Sequence, residues 1–118
     1  MPILFVYGTL RRGQPLHGLL RGASLMGEGW VEGFALYDLG DYPAARPWEK
    51  GRIWGELYAV PEELLPLLDQ VEDEYRRETV LVECSSGAKI PAQMYVYRDP
   101  LPESQRLLSE RWERSSSS

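Results

Sequence analysis

The chain has 118 residues, 43% of them hydrophobic and 26% charged, with a formal net charge of −5. That length fits one domain with a real core, and the composition excludes disorder throughout. The acidic balance speaks against a nucleic-acid partner, because such binding runs on phosphate neutralisation by a basic surplus.

Residues 3–7 are apolar on both alternating faces, with Ile3, Phe5 and Tyr7 on one and Leu4 and Val6 on the other. This predicts a central strand covered on both sides. The run is too short for a membrane span, and its basic residues follow it rather than precede it as in a secretion signal; no membrane partner is expected. Residues 8–15 are bounded by glycines and closed by Pro15, which predicts a loop, followed by a short helix from Leu16 to about Arg21. Arg11, Arg12 and Arg21 read as scattered solvated cations, and His17 as a surface residue at the helix start.

Residues 28–37 predict a long strand interrupted by Gly29 and Gly33, where a bend, a bulge or a close approach is expected. Residues 38–50 are rich in Gly and Pro and predict a loop. Residues 52–59 form a second strand pattern, with Ile53, Gly55, Leu57 and Ala59 on one face and Arg52, Trp54, Glu56 and Tyr58 on the other. From 62 to 73, Leu64, Leu67, Leu68 and Val71 recur at the spacing of one helical face, with Pro66 delaying or kinking the helix near Leu65. Strands at 77–84 and 90–98 flank the turn 85–88 and predict a hairpin. Residues 103–113 predict a terminal helix packing Leu107, Leu108 and Trp112 inward, and the serine run 115–118 a disordered tail. Nothing separates two domains, so one domain is expected over 1–114. Five strands, mostly joined without helices, predict an α+β fold: a small mixed β-barrel flanked by short helices, with the 62–73 helix closing one mouth.

The single cysteine, Cys84, excludes an intrachain disulfide and suits a reducing, cytoplasmic compartment. It shares a strand face with Val80 and Val82 and reads as a core thiol. Gly8-x4-Gly13 copies half of a phosphate-binding loop, but Gln14 and Pro15 stand where Lys and Ser or Thr are needed. His17 is the only histidine, too few for a zinc site, and no Gly-x-Ser-x-Gly elbow exists to make a serine triad. Glu72, Asp73 and Glu74 could be imagined around Mg²⁺, but such a run is ordinarily solvated. Carboxylate acid–base chemistry remains, with a loop that can offer backbone N–H groups. No cofactor and no metal are expected.

Tyr7-Gly8-Thr9-Leu10-Arg11-Arg12-Gly13, straight after an apolar strand, resembles the opening signature of the gamma-glutamylcyclotransferase-like superfamily. Gly40-Asp41-Tyr42-Pro43 resembles that family's Gly-x-Tyr-Pro element, Ile53-Trp54-Gly55-Glu56-Leu57-Tyr58 a family strand, and Leu68-Asp69-Gln70-Val71-Glu72 its Leu-Asp-x-x-Glu. Tyr75-x-Arg77 and the strand 92–97 continue the likeness, which runs in order over residues 3–98. The branch it resembles is that of small bacterial proteins related to gamma-glutamylamine cyclotransferase. One departure stands out: the family's Gly-x-Pro after the glutamate is replaced by Asp73-Glu74 leading directly to Tyr75.

The resemblance implies release of 5-oxoproline from a small-molecule gamma-glutamyl substrate, with Glu72 as the catalytic acid–base. It implies substrate-binding roles for the loop of Tyr7, Gly8, Thr9 and Leu10. Tyr75 would line the pocket or anchor Glu72, Tyr42 would close the rim, and Arg77 would pair with a carboxylate. Two other readings stay open: a non-catalytic small-molecule binding module that keeps the pocket, and an assembly protein using exposed Trp30, Trp48 and Trp54.

Overall fold

The structure, a computed structural model, describes residues 1–113; the serine tail expected at 115–118 lies outside them. Five strands, β1 (Ile3–Val6), β2 (Ser24–Asp38), β3 (Pro43–Ala59), β4 (Tyr75–Cys84) and β5 (Lys89–Tyr97), and one helix, α1 (Leu65–Val71), follow in chain order. The strands close into a barrel in the order β1-β3-β2-β4-β5. All pairs are antiparallel except β1 with β5, which run parallel through Leu4↔Gln93 and Phe5↔Met94. This is the small mixed barrel that the strand pattern predicts. Among the described residues no helix is long and apolar enough to cross a membrane.

Strand β1 lies where both alternating faces are apolar, and Leu4, Phe5 and Val6 are all buried. Both glycines flagged in β2 have structural reasons. Gly33 sits at φ +88° where the β2–β3 register shifts, between Glu32 and Phe34, as a bulge requires. A Cβ at Gly29 would fall 2.5 Å from the Glu83 carbonyl oxygen, so the crossing to β4 needs glycine there. The β4–β5 hairpin turns through Ser85–Ala88, with Cys84 and Ala88 hydrogen-bonded at 2.7 Å.

Several expectations need correction. The loop expected over 38–50 is confined to residues 39–42, because β3 begins at Pro43 and residues 43–47 pair with residues 34–38 of β2. Pro43 opens the strand, where a missing N–H is tolerated, and Ala44 and Ala45 are fully buried. Both faces of strand 52–59 are buried, Trp54, Glu56 and Tyr58 along with Ile53 and Leu57: the Glu110 carbonyl meets Trp54, and the segment after β1 covers Glu56 and Tyr58 through Arg12 and His17. In the helical stretch a 3₁₀ turn, Glu62–Leu64, leads into α1, with Pro66 in the first helical turn where proline is accepted. Leu65 and Leu68 point inward, whereas Leu67 and Val71 are 58% and 49% exposed. The expected helix at Leu16–Arg21 is a 3₁₀ turn, His17–Leu20.

The terminal helix expected at 103–113 does not form. After a 3₁₀ turn, Glu103–Gln105, Arg106 is extended and bridges Tyr37, and the chain continues in irregular bends. The Leu107 N–H donates to the Leu36 carbonyl and the Trp54 N–H to the Glu110 carbonyl, both at 2.8 Å. Open backbone groups of β2 and β3 outbid helix propensity there. Trp112 is buried, as expected, but Leu108 is 98% exposed. Arg11 is not solvated: it is buried, bonds the Trp112 carbonyl and lies 5.2 Å from the Trp54 ring centroid. Trp54 is therefore not an exposed aromatic, and Trp30 and Trp48 are half-buried beneath Arg52 and Arg106.

Candidate active site

Strand β1 delivers Tyr7 into the barrel. Its hydroxyl donates to the Tyr95 carbonyl at 2.6 Å and accepts from the Ala45 N–H at 3.1 Å. The chain then turns into a loop held by its own backbone: Arg11 N–H to the Gly8 carbonyl at 3.0 Å, and Leu16 N–H to the Thr9 carbonyl at 2.9 Å. Buried Glu56 ties the far side of this loop, accepting from the Arg12 N–H at 2.8 Å and the Tyr58 hydroxyl at 3.0 Å. The amides of Gly8, Thr9 and Leu10 donate to no backbone carbonyl among the described residues. Gly8 packs on the Pro43 ring so closely that a Cβ would sit 2.6 Å from Pro43 Cγ.

Glu72 ends α1, its N–H donating to the Leu68 carbonyl at 2.8 Å and its own carbonyl accepting from the Tyr75 N–H at 3.0 Å. Asp69, one helical turn earlier, fixes this end of the helix. Arg77 on β4 grips both Asp69 oxygens at 3.0 and 3.1 Å, and the Tyr95 hydroxyl donates to one of them at 2.7 Å. The Arg77 guanidinium, aided by Tyr95, holds the Asp69 carboxyl below its ordinary range. Tyr75 donates to the Pro43 carbonyl at 2.8 Å, joining the segment after Glu72 to the strand that backs Gly8.

The result is a cavity of about 480 Å³. Glu72 lines it on one side, and Tyr7, Gly8, Thr9 and Leu10 on another; Tyr42 and Tyr75 complete its wall. The seven residues expected to catalyse or to bind substrate thus border one space, while Arg77, expected to pair with a carboxylate, does so with Asp69 beside it. Burial, and then the negative charges of Asp73 and Glu74, push the Glu72 carboxyl up to about 7. It can therefore change protonation state near neutral pH, as an acid–base group must. Among the described residues no three His, Cys, Asp or Glu side chains converge as metal ligands.

The sequence reading passed over Asp69, Tyr95 and Glu56. Asp69 and Glu72 lie three residues apart, on neighbouring turns of one helix face. Glu56 was visible as the acid between apolar Ile53–Gly55 and Leu57–Ala59. Tyr95 gave no local signal, since its role depends on β5 lying beside β1.

Residues 4–114 match the family described as gamma-glutamyl cyclotransferase, AIG2-like. A relative in Vibrio cholerae, provisionally named a gamma-glutamylcyclotransferase, is 40% identical over 101 residues, 82% of this chain and 83% of that one. The gamma-glutamylcyclotransferase family protein YtfP of Escherichia coli K12 is 36% identical over 101 residues, 83% of this chain and 84% of its own. The crystal structure of a mouse AIG2-like protein superposes with a TM-score of 0.85 at 31% identity, covering 96% of this chain and 88% of that one. With a family match spanning nearly the whole chain and a barrel shared with that structure, this protein belongs to the AIG2-like gamma-glutamyl cyclotransferase family.

Proposed function

We propose that this protein releases 5-oxoproline from a gamma-glutamyl amine or gamma-glutamyl amino acid, with Glu72 as the proton shuttle. The observation that carries the reading is a carboxyl poised near pH 7 in the same cavity as an uncommitted run of backbone amides.

The reaction is an intramolecular aminolysis. Glu72, as the carboxylate, accepts a proton from the substrate's alpha-ammonium. The freed amine attacks the gamma-carbonyl carbon, forming the ring C–N bond and a tetrahedral oxyanion. The amides of Gly8, Thr9 and Leu10 would hold that oxyanion or the substrate's alpha-carboxylate. Glu72, now protonated, gives its proton to the departing nitrogen as the original amide C–N bond breaks. The ring nitrogen then loses its second amine proton, which passes through the same carboxylate to the released amine, so the carboxylate is regenerated and the products are 5-oxoproline and an ammonium. No electron changes hands and every atom comes from the substrate, so the chemistry requires no cofactor. Confining the substrate so that its amine meets its own carbonyl supplies much of the rate. Tyr7 and Tyr75 would hold the walls that impose this folded pose, and Tyr42 would close the rim. The unit that does this is one domain over residues 1–114, acting in the cytoplasm, where Cys84 stays reduced.

The test is Glu72→Gln, which keeps the size and removes the proton. General acid–base catalysis contributes about 10²–10⁴-fold, so 5-oxoproline release from a panel of gamma-glutamyl compounds should fall by that factor while folding persists. Glu63→Gln, on the exposed 3₁₀ turn away from the cavity, is the control. Full activity in Glu72→Gln would remove Glu72 from the mechanism. A parent protein that binds gamma-glutamyl compounds without releasing 5-oxoproline would be the binding module instead.

A further inference from the structure

The cavity runs from an apolar floor to an acidic mouth. Phe5, Val6 and Tyr7 on its lining are buried, whereas Asp41 and Glu74 on the same lining are exposed. Its charged lining residues are Asp41, Glu72 and Glu74; no Arg, Lys or His is among them. Arginines of the surrounding strands are otherwise engaged. Arg77 holds Asp69, Arg46 donates to the Tyr97 carbonyl at 3.0 Å, and Arg98 to the Tyr75 carbonyl at 3.1 Å.

Glu74 is also a fixed acid. The Tyr42 hydroxyl donates to one of its oxygens at 3.2 Å and the Tyr97 hydroxyl to the other at 3.4 Å. Each carboxylate oxygen has two lone pairs, so both retain acceptor capacity. The Gly8 loop, where the gamma-glutamyl head would bind, borders the buried end, which directs the leaving amine toward the mouth. A volume of about 480 Å³ is in the range of sites for drug-sized ligands and leaves room for that amine.

The geometry points to a substrate class: gamma-glutamyl conjugates whose leaving amine carries a second, cationic nitrogen, as an α,ω-diaminoalkane does, with Glu74 as the specificity-determining residue and Asp41 assisting. This rests on the cyclotransferase reading above. A leaving group that ends in a carboxylate, as an amino acid or dipeptide does, brings an anion to the same acids and is repelled. Glu74 makes and breaks no bond; it meets only the remote ammonium, and the ring closure and proton transfers stay with Glu72. The Asp73-Glu74 segment is then a selectivity device, since it places Glu74 two residues after Glu72 and next to Tyr75.

Three conjugates of matched length test this: gamma-glutamyl 1,4-diaminobutane, gamma-glutamyl n-butylamine and gamma-glutamyl 4-aminobutanoate, which end in a cation, a methyl group and an anion. Rates of 5-oxoproline release should rank cation, neutral, anion, with kcat/KM steps of about fivefold at low salt that narrow at high salt. Glu74→Gln should compress the cation-to-neutral ratio toward one, and Glu74→Lys should invert it. Glu74 is exposed, so both variants should fold, and Asp41→Asn supplies a second, smaller compression. Release at equal rates from all three conjugates overturns this inference and leaves the cyclotransferase reading standing, as does a ratio retained in Glu74→Lys. Failure to release 5-oxoproline from any of them, or from a wider gamma-glutamyl panel, overturns that reading and this inference with it.

Discussion

The Tyr7 hydroxyl donates to the Tyr95 carbonyl at 2.6 Å, across the parallel seam where β1 meets β5 and the barrel closes. The same oxygen takes the Ala45 N–H at 3.1 Å, so one side chain ties three strands together beside the cavity. Tyr7→Phe keeps the ring and strands both backbone partners. It should lower stability by about 1–3 kcal/mol, read by urea denaturation, and raise KM more than it lowers kcat. An unchanged denaturation midpoint would show that the seam does not depend on this hydroxyl.

Glu72 makes opposite predictions for activity and stability. As a general base it acts when ionised, so kcat/KM should climb with pH and bend near 7, where its carboxyl titrates. Asp73 contributes to that elevation by repulsion; Asp73→Asn makes ionisation easier and should move the bend to lower pH. A bend unmoved in Asp73→Asn, or one near the ordinary carboxylate range in the parent, would assign the limb to another group.

For stability the sign runs the other way. The folded state holds the Glu72 proton more tightly than the unfolded chain does, so stability falls as pH rises from the ordinary glutamate value of 4.5 through about 7. Glu72→Gln abolishes this cost. It should be more stable than the parent at pH 8, by roughly 1–3 kcal/mol, and the two should converge below pH 4.5. Thermal melts across that range measure it, and a variant less stable than its parent at pH 8 contradicts the buried, repelled state of this carboxyl.

Asp69 and Arg77 anchor the helix end without lining the cavity. Asp69→Asn should cost about 0.5–1.5 kcal/mol, since the pair is partly exposed. It should also lower kcat, because Glu72 loses its fixed position. The stabilisation from Asp69 exists above the ordinary carboxyl range and disappears as pH falls through its lowered value, so parent and variant should converge in acid. Equal stability at neutral pH would show that the ion pair is incidental.

Gly8→Ala tests the backing of the loop. The added methyl would meet Pro43 at 2.6 Å, and overpacking of this kind costs about 1–3 kcal/mol. The expected outcome is a raised KM with a lowered melting temperature; unchanged values of both would mean that the Pro43 ring yields freely.

The barrel was legible because its strands carry strong local patterns: the two-sided apolar run at β1, the alternation around Ile53–Tyr58, and a glycine-marked hairpin. Most of the residues around the cavity were legible because they sit in two short contiguous stretches, Tyr7–Leu10 and Glu72–Tyr75. What stayed hidden depends on partners distant in sequence. Pro43 and Pro47 read as loop until β2 is laid beside them. Residues 106–112 carry a helical spacing of apolar side chains, but the backbones of Leu36 and Trp54 hold them out of a helix. Arg11 reads as a surface cation because neither Trp54 nor Trp112 is near it in the chain.

The parallel seam also dictates when the cavity can exist. Strand β1 leaves synthesis first, yet its partners are β3 on one side and β5, the last strand, on the other. The loop of Gly8 therefore has no rigid base until the far end of the barrel has been made, and pairing this non-local is slow to form. A chain stopped before β5 would hold Glu72 and the Gly8 loop but neither the Tyr95 carbonyl that fixes Tyr7 nor the Tyr95 hydroxyl that fixes Asp69. Closure of the barrel and assembly of the cavity are in this sense one step: without the β1–β5 seam neither Tyr7 nor Asp69 has the partner that positions it.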